Sequence, residues 1–348
     1  MVNWGVIGCG GIADRRTIPG LLEAKNARLL AVMDQVPEVT KRVQEKYGCP
    51  RSYDSVADLL ADREIDAVYI ATPVFAHAEQ VMAAAAAGKH ILVEKPLAMN
   101  TGQGREMIEA CKKAGVYATE GYMMKFHSLH QRAKEIIDSG VLGKVVLMRA
   151  QLSCWYPEIP GAWRQDPKLG GGGALIDMAT HLYDLMRWFA GDVKEVSALA
   201  DTLVFSYGVD DASSTLLRFE SGAHGFVDAF FCVPDSSVQS RLEIYGSRGS
   251  ILAEGTIGQG SGGNMVAYIE ENARGYDAQQ ARDSADVKPQ QVTAEPVNPY
   301  TAEVEYLSRC IEEKQAPQMN TLEEGLQILA IAEAAYRAAK SGRREPIA

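Results

Sequence analysis

Three short stretches carry residues whose types and spacing could do chemistry. The first is Glu94-Lys95-Pro96, which ends the apolar run Ile91-Leu92-Val93. That run reads as a buried parallel strand, and Pro96 halts it and holds Lys95 in an extended backbone. A lysine on such a turn is either a solvated surface charge or a placed ammonium able to steady a developing alkoxide. The second stretch is GGGGALIDMATHLYD, with Asp177 and His181 four residues apart. On an α-helix these two share one face. A carboxylate beside an imidazole holds one tautomer and raises its basicity for general-base work. A surface ion pair with a solvated His181 has the same spacing. So would a divalent-ion site of Asp177, His181 and Asp184, but no further ligand cluster accompanies them and no metal is expected.

The third stretch is Gly8-Cys9-Gly10-Gly11-Ile12-Ala13, a G-x-G-x-x-A pattern between a strand and a helix. Gly8 permits the tight turn, Gly10 lets backbone approach a pyrophosphate, and Ala13 lets helix and strand pack closely. Gly8, Gly10, Gly11 and Ile12 are the candidate contacts, with free N–H groups and a positive dipole end at the helix start. Asp34 ends the next strand, near the offset of about 20 residues expected for an acid on the ribose 2′-hydroxyl. A helix N-cap is the alternative role for Asp34. A carboxylate there accepts from NAD and repels the 2′-phosphate of NADP. Gln35-Val36-Pro37-Glu38 brings no arginine, and Lys41 and Arg42 read as solvent-facing. NAD is therefore favoured over NADP.

The elements that must position these groups fall into two sets. Strands are expected at Val2–Ile7, Leu29–Met33, Ala67–Ala71, Ile91–Val93 and Val116–Thr119, alternating with helices that start near Ile12 and span 37–47, 76–87 and the stretch up to Ala114. Such alternation means a parallel, doubly wound sheet. After Tyr122 the pattern changes to an α+β arrangement. A helix at 129–139, a strand at 144–152 and a helix at 174–190 precede strands at 193–202, 214–219, 225–231, 241–245 and 250–253. Polar, glycine-rich 255–300 reads as long mobile loops, and helices at 301–313 and 322–341 close the chain. The fold class is α/β: a dinucleotide-binding Rossmann domain over 1–122, then a domain with a large, mostly antiparallel open sheet over 123–348.

The chain has 348 residues, 47% apolar and 23% charged, with a formal net charge of −10 and no basic block. Nucleic acid and anionic membrane are poor partners for such a balance; a small neutral substrate suits it better. Cys9, Cys49, Cys111, Cys154, Cys232 and Cys310 are scattered without a CxxC pair, which suggests buried thiols in a reducing compartment. A strand directly after Met1 leaves no room for a signal peptide. A cytoplasmic enzyme is the expectation.

Gly8–Ala13, Ala71-Thr72-Pro73 with His77, Gly88-Lys89-His90, Glu94-Lys95-Pro96 and Gly171–Gly173 followed by Asp177-x3-His181 together resemble the Gfo/Idh/MocA family. The resemblance covers nearly the whole chain. It implies sugar or polyol oxidoreduction, with substrate held between nicotinamide and the second domain's sheet. It implies that Lys95 bonds the reacting hydroxyl, that His181 takes its proton, and that Asp177 orients that histidine or contacts substrate. Thr72, Pro73, His77 and Glu94 would line the cofactor, and Lys95–Pro96 is often cis in relatives. Pairing through the open sheet implies a homodimer or homotetramer.

The chain also departs from the family pattern. Val74 stands where the family often has Asn. Glu120–His127 resembles the xylose and dihydrodiol dehydrogenase branch, with Lys125 for the usual Arg as a substrate contact, yet that branch tends to carry Tyr in place of His181. Trp163-Arg164, with Trp155-Tyr156, forms either a sugar platform or ordinary core. The alternatives to an NAD-dependent dehydrogenase are an NADP(H)-linked ketosugar or anhydrosugar reductase and a nucleotide-sugar enzyme using Arg15-Arg16. A non-catalytic dinucleotide-binding regulator comes last, since it would be expected to lose Lys95 or His181.

Overall fold

Runs of three to seven residues, largely buried except for Arg51–Tyr53, build the first sheet of this computed structural model, which describes residues 1–238, 240–270 and 287–347. Strands β1 (Val2–Ile7), β2 (Ala27–Met33), β3 (Arg51–Tyr53), β4 (Ala67–Ile70), β5 (His90–Val93) and β6 (Ala118–Glu120) pair in parallel in the order β3-β2-β1-β4-β5-β6. The order reverses between β1 and β4, and ligands bind outside the carboxyl ends of strands at such a switch point. The glycine turn, Asp34, Thr72-Pro73, Glu94-Lys95 and Gly121 all follow those ends. Left-handed glycines stop the intervening helices where expected, with Gly48 at φ 61° after Pro37–Tyr47 and Gly115 at φ 68° after Thr101–Ala114. Strand β3 and the Val56–Ala61 helix are additions to the elements expected from sequence.

The second sheet contains, among the described residues, β7 (Val145–Ser153), β8 (Val193–Asp201), β9 (Ala212–Phe219), β10 (His224–Phe230), β11 (Arg241–Gly246), β12 (Gly249–Glu254), β13 (Asn264–Ile269), β14 (Gln290–Gln291) and β15 (Glu345–Pro346). They lie in the order β14-β13-β12-β11-β7-β10-β9-β8-β15. All neighbours are antiparallel except β7 and β10, which run parallel. The expectation of loops over 255–300 is corrected by β13 and β14; residues 271–286 lie outside the described residues. Burial alternates along β7 and β9, as in a sheet covered on one face. Leu199, Leu216, Phe226 and Val146 are exposed.

Two closing helices join the halves. Pro299–Glu313 places Val304, Leu307 and Cys310 in the same buried cluster as Trp4 and Val6 of β1, and the Trp4 indole donates to Ser308 Oγ at 3.0 Å. Leu322–Ser341 starts with a Thr321/Glu324 capping box. No helix among the described residues is long and apolar enough to cross a membrane.

Candidate active site

One cleft of about 700 Å³ runs from the glycine turn to the second sheet. Gly8, Gly10, Gly11, Ile12, Asp34, Thr72, Pro73, Glu94 and Lys95 line it from the first domain, and Trp163, Arg164, Asp177 and His181 from the second. At its near end Gly8 has φ 80°, and a Cβ there would meet the Thr72 amide at 2.9 Å, so the turn admits only glycine. Gly10 N donates to Asp34 Oδ2 at 3.2 Å, which sets the acid beside the turn. A bared glycine backbone, a helix start and a carboxylate at the strand end fit a dinucleotide's pyrophosphate and adenosine ribose. The helix after the turn begins as a π-turn, Ala13–Thr17, before continuing at Ile18–Glu23.

Lys95 projects from the turn after β5, whose Lys95–Pro96 peptide is cis. Its ammonium donates to the Asp177 backbone carbonyl at 2.8 Å and to Asp177 Oδ1 at 2.9 Å. Arg164 Nε donates to the same Oδ1 at 3.2 Å, with its guanidinium over the Trp163 ring at 4.2 Å. Burial pushes the Asp177 carboxyl upward, but the two adjacent cations outweigh it and hold the group well below the usual carboxylate range. His181 is 7% exposed, and its Nδ1 is buried without a hydrogen-bond partner. Burial, reinforced by the Lys95 charge, drives its pKa well below the ordinary value, so the imidazole is neutral.

No hydrogen bond joins Asp177 to His181 among the described residues, although the two groups act on each other's charge. Of the two roles the resemblance implies for Asp177, orienting that histidine or contacting substrate, the first is therefore not made by a direct bond. The cause is local. Leu175–Ala179 forms a π-turn ahead of the Thr180–Ala190 helix, and the wider i→i+5 turn offsets side chains that an α-helix would stack. Asp177 therefore faces Lys95 and Arg164.

Two other expected contacts change. Lys125 lies outside the cleft lining, only 1% exposed, bonded to Asp184 at 2.8 Å and reaching Glu324 at 3.4 Å. Its charge answers a buried acid, whose pKa burial lifts to about 6 against the pull of Lys125. Asp184 is thus committed to Lys125, and no group of three or more possible metal ligands occurs among the described residues. His77 is also off the cleft and 1% exposed. Its Nε2 lies 2.9 Å from the Thr72 carbonyl and its Nδ1 3.0 Å from that of Pro96, so it braces the two cofactor-side turns. Glu94 does line the cleft. Its Oε1 accepts from the Tyr69 hydroxyl at 2.5 Å, and burial raises its pKa. Tyr156 faces the cleft beside Trp163, whereas Trp155 packs on Phe205.

The start of the catalytic helix rests on residues the sequence reading missed. Asp210 accepts from Gly173 N at 2.9 Å and from Leu175 N at 2.8 Å, and Tyr336 OH donates to it at 2.7 Å. The carboxylate thereby satisfies helix-start amides that have no partner within the helix. Tyr336→Phe removes one charged hydrogen bond from this seat. It is expected to lower kcat by about tenfold while leaving dinucleotide affinity unchanged, as steady-state rates and fluorescence titration would show. Tyr336 carries no local sequence signal, because its partner is 126 positions away.

Comparison with known proteins matches residues 2–122 to "Oxidoreductase family, NAD-binding Rossmann fold" and residues 130–252 to "GFO/IDH/MocA C-terminal domain". The chain is 29% identical to 1,5-anhydro-D-fructose reductase of Ensifer adhaerens, over 100% of this chain and 99% of the relative. It is 30% identical to D-xylose 1-dehydrogenase (NADP(+)) 2 of Haloferax volcanii, over 97% and 98%. Among solved structures, the aldose-aldose oxidoreductase from Caulobacter crescentus complexed with glycerol superposes with a TM-score of 0.87 at 28% identity, covering 99% of both chains. The chain belongs to the Gfo/Idh/MocA family of NAD-binding Rossmann-fold oxidoreductases.

Proposed function

We propose that this protein oxidises a secondary hydroxyl of a sugar, cyclitol or related polyol, with NAD preferred over NADP. The observation that carries the reading is the Lys95 ammonium. Two of its three protons are spent on Asp177, which leaves one for a substrate oxygen in the cleft beside neutral His181. When bound, the nicotinamide supplies the hydride chemistry. Lys95 donates to the substrate oxygen and steadies negative charge as its proton leaves. His181 receives that proton at Nε2, since Nδ1 is enclosed by protein. Asp177 holds the ammonium in place, and Arg164, fixed on Trp163, borders the substrate with Tyr156. In the reducing direction the same groups run in reverse, as the names of the anhydrofructose and NADP-linked xylose relatives make relevant.

The working division is residues 1–122 for the nucleotide and 123–348 for substrate and self-association, with a dimer or tetramer formed through the exposed sheet face. A cytoplasmic location accords with six free cysteines. The reading is tested by initial rates with NAD and NADP across inositols, aldoses and anhydrosugars. Turnover with NAD supports it; silence across the panel while NADH still binds sinks the substrate class.

The depressed His181 pKa sets the sign of the pH dependence. Its base form persists as pH falls below the ordinary value, so kcat/KM for oxidation is expected to have no acid limb near about 6.5. A limb there, abolished by changing another titrating residue, would assign the base elsewhere.

A further inference from the structure

Behind the dinucleotide end of the cleft, outside its lining, lies a charge arrangement that the reaction does not use. Asp14 stands one turn beyond Gly10, its N–H donating to the Gly10 carbonyl at 3.3 Å. Its Oδ2 receives Arg42 Nη1 at 2.6 Å, and its Oδ1 receives Lys46 Nζ at 2.7 Å and the Tyr47 hydroxyl at 3.0 Å. The carboxylate is 12% exposed, while Arg42 and Lys46 are about half exposed, at 52% and 50%. Burial would raise the Asp14 pKa, but the bonds from Lys46, Arg42 and Tyr47 pull it to about 2, so the acid is charged at any working pH.

The place of this cluster matters more than its strength. Arg42 and Lys46 share one face of the Pro37–Tyr47 helix, four residues apart. Val39, one turn before Arg42, lies against Gly10: a Cβ on that glycine would sit 3.4 Å from Val39 Cγ1 and 3.5 Å from Asp34 Oδ2. Asp34, Asp14 and Arg42 are all close enough to the Cys9 thiol to act on its ionisation. Arg42 therefore stands about one helical turn beyond Val39 and Lys46 about one turn further along the same helix, and both are tied back to Asp14. A phosphate on the ribose 2′-oxygen needs such cations, and arginine grips phosphate through paired N–H groups.

We propose that Asp14 biases cofactor choice by holding Arg42 and Lys46 away from the ribose, denying a 2′-phosphate these two counter-cations and leaving it Arg15 alone of the cleft-lining cations at this end. The proposal rests on the reading that the adenosine ribose lies at Asp34. Asp34 repels the extra phosphate directly, and Asp14 acts one layer behind, through the cations it holds. Asp14 is thus a positioning residue, and releasing its partners should produce a gain that general damage to the fold would not.

The test uses the full chain and Asp14→Asn, which removes the charge but keeps an oxygen for Tyr47. Calorimetric titration would compare adenosine 2′,5′-bisphosphate with adenosine 5′-monophosphate, and NADPH with NADH. The expected result is bisphosphate bound about tenfold tighter than by the native chain, with monophosphate affinity within about twofold. Adding Arg42→Ala should erase the gain. No gain in a folded Asp14→Asn, or a gain that survives removal of both Arg42 and Lys46, overturns the proposal. Arg42→Ala in the otherwise native chain gives a second test that does not depend on Asp14→Asn folding. Bisphosphate affinity should change by less than about twofold, because Arg42 is already committed to Asp14; a tenfold loss would show Arg42 serving the phosphate already. If the native chain binds NADPH as tightly as NADH, the NAD preference falls, while the bisphosphate comparison still decides the role of Asp14.

Discussion

Lys95→Met is expected to lower kcat by about 10²–10⁴-fold while dinucleotide affinity stays within about threefold. Methionine fills similar volume but offers no proton to the substrate oxygen. It also leaves Asp177 with Arg164 as its remaining side-chain cation partner, so the carboxylate should rise from its depressed range and the pH profile should change shape. Rates measured with NADH titration separate the two effects. Near-native turnover in a folded Lys95→Met protein would exclude the ammonium from the chemistry. Lys95→Arg is informative beside it: the charge survives, but a planar guanidinium cannot divide its protons between the Asp177 carbonyl and carboxylate as the ammonium does. Recovery of less than about a tenth of native kcat is therefore expected.

The second large effect is structural in origin. At Gly173 a Cβ would land on the Asp210 backbone carbonyl oxygen, and at Gly172 on the Tyr336 hydroxyl. Gly173→Ala must therefore push the helix start off its Asp210 seat. A stability loss of about 1–3 kcal/mol is expected from overpacking alone, with loss of most turnover because Asp177 begins four residues on. Thermal unfolding together with kcat measures both. An alanine tolerated without change in either would mean that the seat is loose and that Asp210 does not fix the catalytic helix.

These two sites show where sequence sufficed and where it did not. β1, β2, β4 and β5 were legible because each is a buried run closed by glycine, aspartate or proline, and the chemistry sits on those closures. The glycine fingerprint, Asp34, Glu94-Lys95 and Asp177/His181 lie on the cleft for the same reason: their signals are local. What failed was non-local or geometric. The π-turn at Leu175–Ala179 has no distinguishing composition, so the lack of a direct Asp177–His181 hydrogen bond is not legible in the sequence. Lys125 looked like a substrate contact because its neighbours resemble one branch of the family, but its buried acid, Asp184, lies on another helix. His77 stands beside the expected turns but braces them from outside the cleft, since only the fold shows which carbonyls its ring meets. Arg42 is solvent-facing as expected, 52% exposed, but its ion pair was not legible because Asp14, its partner, lies before the intervening strand. The short strands β3, β14 and β15 have too few residues to display a period.

The pairing of β7 carries a consequence for synthesis. Both its neighbours, β10 and β11, lie beyond residue 223, so a growing chain emerges with β7 bare along both edges while more than seventy further residues are made. Unpaired strand edges of this kind recruit other chains. A ribosome stalled before His224 would hold a finished nucleotide-domain sheet tethered to an adhesive strand. Chaperone demand, and inclusion-body formation by truncated products, should fall sharply once β10 is complete.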